Sequence, residues 1–179
     1  AWRTVYEVRK GTFDKFLTKP FKPLTYLTLT SWDPEGLGEA LVGFVLIAYC
    51  IAKLGISVLS LSFAVFALAI LLALVFTYAM TVVIGSLSFI FIKSFGLFNI
   101  FFSIMDVARY PSTIYSYGMR FFVSFLIPVA VTATVPALAL TGSQSLSSVL
   151  TAAIPVLAFL VFSVALWNFA MKKYSSAGG

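Results

Sequence analysis

The side chains of this sequence that could do chemistry are few, and they are concentrated near its beginning. The stretch from Gly11 to Pro23, GTFDKFLTKPFKP, carries Asp14 and three lysines, Lys15, Lys19 and Lys22, whereas only 10% of the 179 residues are charged. Basic side chains at this density can hold a segment to an anionic membrane surface or to an acidic surface of a partner protein. They do not make a catalytic set, because no nucleophile and base accompany them.

Other kinds of chemistry are limited by composition. The chain has no histidine and a single cysteine, Cys50, which lies among apolar residues and is expected to pack as a small hydrophobe. Without histidine, bis-histidine haem, most zinc sites and histidine proton relays lack their ligands. A G-x-x-x-x-G-K-[ST] phosphate-binding loop is also absent. We therefore expect no catalytic residue, no metal site, no cofactor and no ATP site of that kind in this sequence.

Hydrophobicity sets the class of protein. Apolar residues make up 61% of the chain, the mean hydropathy is +1.05, and no side chain is charged from Leu54 to Ile92. About 20 apolar helical residues cross a bilayer, so this composition predicts an all-α, multi-pass transmembrane protein in contact with lipid. In such a protein the net charge of +6 indicates basic cytoplasmic loops rather than nucleic-acid binding.

The hydrophobic pattern divides the chain into a polar segment, residues 1–34, and a transmembrane domain, residues 35–179. Spans are expected at about 35–53, 58–83, 86–107 and 149–171. Six of the twelve Lys and Arg residues lie in residues 1–34, two lie at Lys172 and Lys173, and none lies in the loop Thr141–Ser148. The positive-inside rule therefore places both ends in the cytoplasm.

Within the basic stretch we expect a short helix at about residues 12–19. Thr12 can cap its start, and Pro20 prevents its extension. A helix this short needs a surface to lie on, and the residues alone leave two readings: a basic anchor that sets topology, or a docking helix for a soluble partner. Three apolar side chains at i, i+3, i+4 spacing share one of its faces: Phe13, Phe16 and Leu17.

Three stretches of the sequence resemble the permease subunits of type-2 ABC exporters, in particular a poorly characterised branch of them. They are VRKGTFDKFLTKPFKPL, FNIFFSIMDVARYPSTIYSYGMRFFVSFLIPVAVTATVPALALTG and LWNFAMKKYSSAGG. The motifs that carry the resemblance are G-[ST]-[IF]-D-x-[LF]-L-x-[KR]-P, [RK]-Y-P-x-x-I-Y, I-P-V-A with V-P-A, and Y-S-S-A. Members of this family have about two further spans upstream, so the resemblance implies that this chain lacks the N-terminal spans.

The resemblance implies a partner for the basic stretch. Such permeases have six spans, form homo- or heterodimers with a second permease subunit, and bind cytoplasmic ABC ATPase subunits. Their first cytoplasmic loop carries a coupling helix that sits in a cleft of the ATPase. By position, the residues expected to dock are Gly11, Phe13, Asp14, Lys15, Phe16, Leu17, Lys19 and Pro20.

The resemblance also opens a question about residues 110–140. Hydropathy alone makes Phe121–Leu140 a span, whereas the exporter superfamily has a re-entrant hairpin on the outer side at this point. We favour the hairpin, because broken helix is tolerated at membrane depth where protein or a cavity covers it. The residues expected in this hairpin and its gate are Asp106, Arg109, Tyr110, Pro111, Tyr115, Pro128 and Pro136.

These expectations define a function and a rival to it. The resemblance implies a permease subunit of an ATP-driven exporter in the cell membrane, which moves a hydrophobic or amphipathic substrate by alternating access. The ATPase partner would hydrolyse ATP. The alternative is a structural or accessory membrane subunit of a larger complex with no transport role.

Overall fold

The structure is a computed structural model that describes residues 2–30, 34–91, 114–122 and 127–174, together with residues 96, 99, 103, 106, 110 and 124. The described residues form helices and no strand. In chain order these are α1 (Trp2–Arg9), α2 (Asp14–Leu17), α3 (Pro23–Thr30), α4 (Pro34–Leu54), α5 (Leu61–Ile90), α6 (Tyr117–Phe121), a 3-10 helix (Val129–Thr132), α7 (Thr134–Leu140) and α8 (Leu146–Lys173).

Three of these helices, α4, α5 and α8, are long and apolar enough to cross a membrane. Serine side chains fix where two of them begin. The Ser60 hydroxyl accepts the Phe63 N–H at 3.2 Å, and the Ser145 hydroxyl accepts the Ser148 N–H at 3.3 Å. Each bond satisfies a backbone donor that the first turn of a helix leaves free. Together with the absence of strands from the described residues, these helices confirm the all-α membrane fold expected from the sequence.

The core of the protein is the contact between α5 and α8, which run in the same direction. Near their starts, Ser62 lies beside Gly142, and near their ends the rings of Phe89 and Trp167 are 5.2 Å apart. The 3-10 helix and α7 cover α5 close to its start. Buried members of this core cluster are Val65, Phe66, Ala69, Leu72, Phe76, Met80, Val129, Val131, Ala139, Val149 and Val156. We call the end of the bundle near Ile90 and Lys173 the basic end, and the opposite end the far end.

Helix α4 stands apart from this core. None of its side chains from Gly36 to Leu54 is buried, although the helix is strongly apolar and Ile47 touches the core cluster. An apolar helix with this exposure is covered by lipid or by another protein chain.

The boundary predicted between two spans at residues 83–86 lies instead inside one continuous helix. Helix α5 continues without interruption to Ile90. Its polar residues there are satisfied inside the helix, because the Ser86 hydroxyl donates to the Val82 carbonyl and the Ser88 hydroxyl donates to the Gly85 carbonyl, both at 2.7 Å. Most of the span expected at 86–107 lies outside the described residues.

Residues 110–140 contain no helix of membrane-spanning length among those that the structure describes. Pro128 is fully buried and immediately precedes the 3-10 helix, while Pro136 is buried in the first turn of α7. A proline is tolerated at both kinds of position, because its missing N–H would have no helical partner there. The re-entrant hairpin itself stays a prediction.

Candidate functional site

The basic stretch forms a tight turn and a single helical turn at the basic end. Gly11 has φ of +67°, a left-handed conformation that glycine adopts without strain, and its N–H donates to the Val8 carbonyl at 3.1 Å after α1 ends. Helix α2 covers only Asp14–Leu17, shorter than the helix expected at about 12–19. Pro20 lies beyond its end, where the sequence placed it.

Thr12 does not cap α2, contrary to the sequence analysis. Phe13 occupies the N-cap position without a capping side chain, and the Thr12 hydroxyl donates instead to the carboxylate of Glu7 on α1. This carboxylate also forms an ion pair with Lys15, whose Nζ lies 2.6 Å away. The Thr12 hydroxyl donates to a charged acceptor, and Phe13 rather than Thr12 holds the N-cap position, so Thr12 fastens the turn to α1 and does not start α2.

Two phenylalanines of the stretch are buried inside this chain. Phe13 is fully buried, with its ring centroid 4.8 Å from that of Phe89 at the end of α5 and 5.4 Å from that of Tyr174 at the end of α8. Phe16 is 2% exposed and lies 5.5 Å from Phe13. The Phe13–Phe89 and Phe13–Tyr174 pairs are edge-to-face, and pairs of this kind each add about 0.5–1.5 kcal/mol beyond the area they bury. We call Phe13, Phe16, Phe89, Trp167 and Tyr174 the aromatic cluster.

The docking contacts expected from the sequence are therefore divided between two surfaces. Phe13 and Phe16 pack against α3, α5 and the end of α8, so in this conformation they are not available to a partner. Leu17, expected on the same face, is 46% exposed because the surface that buries the phenylalanines ends before it. The i, i+3, i+4 spacing predicted one apolar face, and the chain itself buries two of its three members.

The exposed side of the stretch runs from Leu17 to Lys22, and every side chain in it is exposed. We call residues 17–22 the exposed docking face. Phe21, which is not among the predicted docking residues, is 62% exposed and lies between Pro20 and Pro23. The two prolines that interrupt helix on either side of Phe21 were a usable signal, because they keep it out of the packed helical turn.

Asp14 links the stretch electrostatically to the end of α8. The Tyr174 hydroxyl is buried, and this burial raises the pKa of Tyr174 above its ordinary value of 10.0. The nearby Asp14 carboxylate, as an acceptor and as a negative charge, raises the pKa of Tyr174 further. Tyr174 is therefore a neutral phenol at physiological pH.

The residues expected in the hairpin and its gate are only partly described. Asp106 and Tyr110 are exposed, while Arg109 and Pro111 lie outside the described residues. Tyr115 is partly buried against the core cluster. Among the described residues, no three acidic or thiol side chains lie close enough to hold a metal ion.

The structure defines the class of protein as a multi-pass helical membrane protein whose basic, aromatic segment is packed against the ends of its two central helices. Comparison with protein families adds the identity: residues 1–178 match the family described as ABC-2 family transporter protein. The chain belongs to this family and is a permease component of an ABC transporter. Permeases of this kind usually work with a separate ATPase subunit. No curated protein and no solved structure is found to be similar to the chain.

Proposed function

We propose that this chain is the permease subunit of an ATP-driven exporter in the cell membrane, and that the basic stretch from Gly11 to Pro23 couples it to the ATPase. One observation carries the proposal. Residues 17–22 are exposed, whereas Phe13 and Phe16 in the same stretch are buried against α5 and α8. A segment with one outward surface and one surface fixed to the long helices is suited to pass a partner's movement to them.

The outward surface has the chemistry of a protein contact. Leu17 and Phe21 provide apolar area, and Lys19 and Lys22 provide positive charge at its edge. Protein interfaces commonly combine an apolar or aromatic centre with a charged rim. The expected partner surface is a cleft on the ATPase with apolar walls and acidic side chains at its mouth.

The inward surface supplies the transmission. Phe13 touches Phe89 at the end of α5 and Tyr174 at the end of α8, and the Lys15–Glu7 ion pair connects the same turn to α1. Close-packed side chains transmit displacement because they are scarcely compressible. Movement of the docked segment would therefore shift the ends of α5 and α8 together, and ATP-driven closure of the ATPase would reopen the spans outward.

The membrane helices suit a substrate that is largely uncharged. Helix α5 contains no charged residue, and α8 contains none before Lys172. Burying an unpaired charge in such surroundings is costly. A hydrophobic or amphipathic substrate fits these surfaces.

The test is a mild-detergent purification of the full-length tagged protein from its own host. We expect an ATPase with a phosphate-binding loop to copurify with the wild type. Replacing Leu17 and Phe21 by alanine should release it while leaving the permease folded, because both side chains are exposed. The matched control is Leu29→Ala on α3, which removes a leucine outside the docking face that is 67% exposed, compared with 46% for Leu17.

A Phe13→Ala variant separates docking from transmission. It retains the exposed docking face, so the ATPase should still copurify, but ATP hydrolysis and transport should become uncoupled. If no ATPase accompanies the wild type and subunits of another membrane complex do, the accessory role is correct and the exporter proposal is wrong.

A further inference from the structure

A cavity of about 280 Å³ lies toward the far end, between the start of α8 and the segment that contains the 3-10 helix and α7. Its walls include Ser124, Thr134, Gln144, Ser148, Thr151 and Pro155, and no residue that lines it is charged. Sites for drug-sized molecules measure about 300–1,000 Å³. This cavity is thus large enough for a headgroup and too small for a whole amphiphile.

Several hydrogen-bonding groups on these walls have no protein partner among the described residues. They are the hydroxyls of Ser124 and Thr134 and the side-chain amide of Gln144, and all three of these cavity-lining side chains are partly exposed. By contrast, the Ser148 hydroxyl lies 2.8 Å from that of Ser145, and the Thr151 hydroxyl donates to the Ser148 carbonyl at 2.8 Å. The wall therefore combines internally satisfied groups with groups that remain available for a ligand.

Pro155 adds a backbone acceptor. It lies inside α8 and has no N–H, so the carbonyl of Thr151, four residues earlier, loses its helical donor. Both residues line the cavity. A carbonyl freed in this way is an acceptor available to a hydrogen-bond donor in the cavity.

The position of the cavity makes these free groups significant. Along α8 it extends from Ser148 to Pro155, roughly 10 Å at 1.5 Å per residue. In a membrane-spanning α8, this part of the helix reaches from the interface into the hydrocarbon region, where unsatisfied polar groups are costly. A ligand that supplies both donors and acceptors removes this cost.

We propose that this cavity binds the uncharged, polyhydroxylated headgroup of an amphiphile, such as a sugar or another polyol. Hydroxyl groups donate and accept at once, and so match the hydroxyl, amide and carbonyl groups of the wall. A phosphate, carboxylate or ammonium group would meet no opposite charge. The inference deepens the proposed function by naming the substrate's headgroup, and it rests on that function for the step of transport.

The test uses the full-length protein in phosphatidylcholine nanodiscs and a glucosyl diacylglycerol with a photoreactive diazirine on its glucose. Crosslinks should map to residues 124–155. Unlabelled glucosyl diacylglycerol should compete, and diacylglycerol with the same chains should not. Competition by free methyl glucoside tests whether the sugar binds without its lipid. If it competes, the result also supports the site and makes a free sugar the ligand.

Variants locate the binding groups. Thr134→Val with Gln144→Leu should reduce crosslinking about fivefold or more, since each lost hydrogen bond weakens binding severalfold. Thr141→Val is the matched control, because this threonine lies at the end of α7 but does not line the cavity. Unchanged crosslinking in the double variant, crosslinks elsewhere in the chain, or equal competition by diacylglycerol would overturn the proposal.

Copurification of the ATPase, measured on the same variants, keeps the two proposals apart. Loss of crosslinking with the ATPase retained supports the headgroup site within an exporter. Sugar-dependent crosslinking in a protein that copurifies no ATPase would support the site while contradicting the exporter.

Discussion

At the scale of single residues, Phe13 and Phe21 differ in burial, so replacing each by alanine should lower the stability of the protein by different amounts. Phe13→Ala removes a fully buried ring from the aromatic cluster, and such truncations in a core cost about 3–5 kcal/mol. Phe21→Ala removes a ring that is 62% exposed and should scarcely change stability. Thermal unfolding in detergent measures both variants. Equal unfolding temperatures would mean that Phe13 is not packed as described.

Tyr174 predicts a dependence on alkaline pH. Its pKa in the folded protein is raised above 10.0 by burial and by Asp14, so the neutral phenol is favoured by folding. This contribution to stability is fully present below pH 10 and is lost as pH rises through the raised value. Tyr174→Phe should therefore lose less stability than the wild type between about pH 9 and pH 11. Parallel pH profiles of the two proteins would contradict the assignment.

At the scale of helices, the contact between α5 and α8 depends on a close approach at Gly85. A Cβ added there would lie 3.2 Å from the Trp167 ring and 3.5 Å from the Thr4 side chain. Gly85→Val should consequently destabilise the basic end, by about 1–3 kcal/mol for overpacking. The control, Gly38→Val on α4, has open space around its Cβ position. Detergent melting curves should shift for the first variant and not for the second.

The sequence predicted that the apolar region forms membrane helices, but it did not predict where those helices begin and end. An uncharged run from Leu54 to Ile92 predicts membrane helix wherever a window is placed, so nothing marked residues 83–86 as the interior of α5. The apolar face at Phe13 and Phe16 was equally readable. What covers it was not, because a helical period identifies a face, while Phe89 and Tyr174 reach that face only through the tertiary fold.

At the scale of the whole molecule, the parallel course of α5 and α8 predicts which loops share a side. The basic stretch contacts the ends of both helices, and the loop before α8 lies at their starts. In a protein with Cys50 replaced by alanine, Ser147→Cys should react with a membrane-impermeant maleimide added outside intact cells. Thr18→Cys should react only after the membrane is opened. Labelling of both from one side would contradict the arrangement.

The central claim is that residues 17–22 face an ATPase while Phe13 faces the permease itself. The most direct measurement places azidophenylalanine at position 13 or at position 21 of the full-length protein and irradiates membranes of its own host. We predict that position 21 crosslinks to a protein with a phosphate-binding loop and that position 13 crosslinks only within the permease. Crosslinking of the ATPase from position 13 but not from position 21, or of no ATPase from either, would contradict the account.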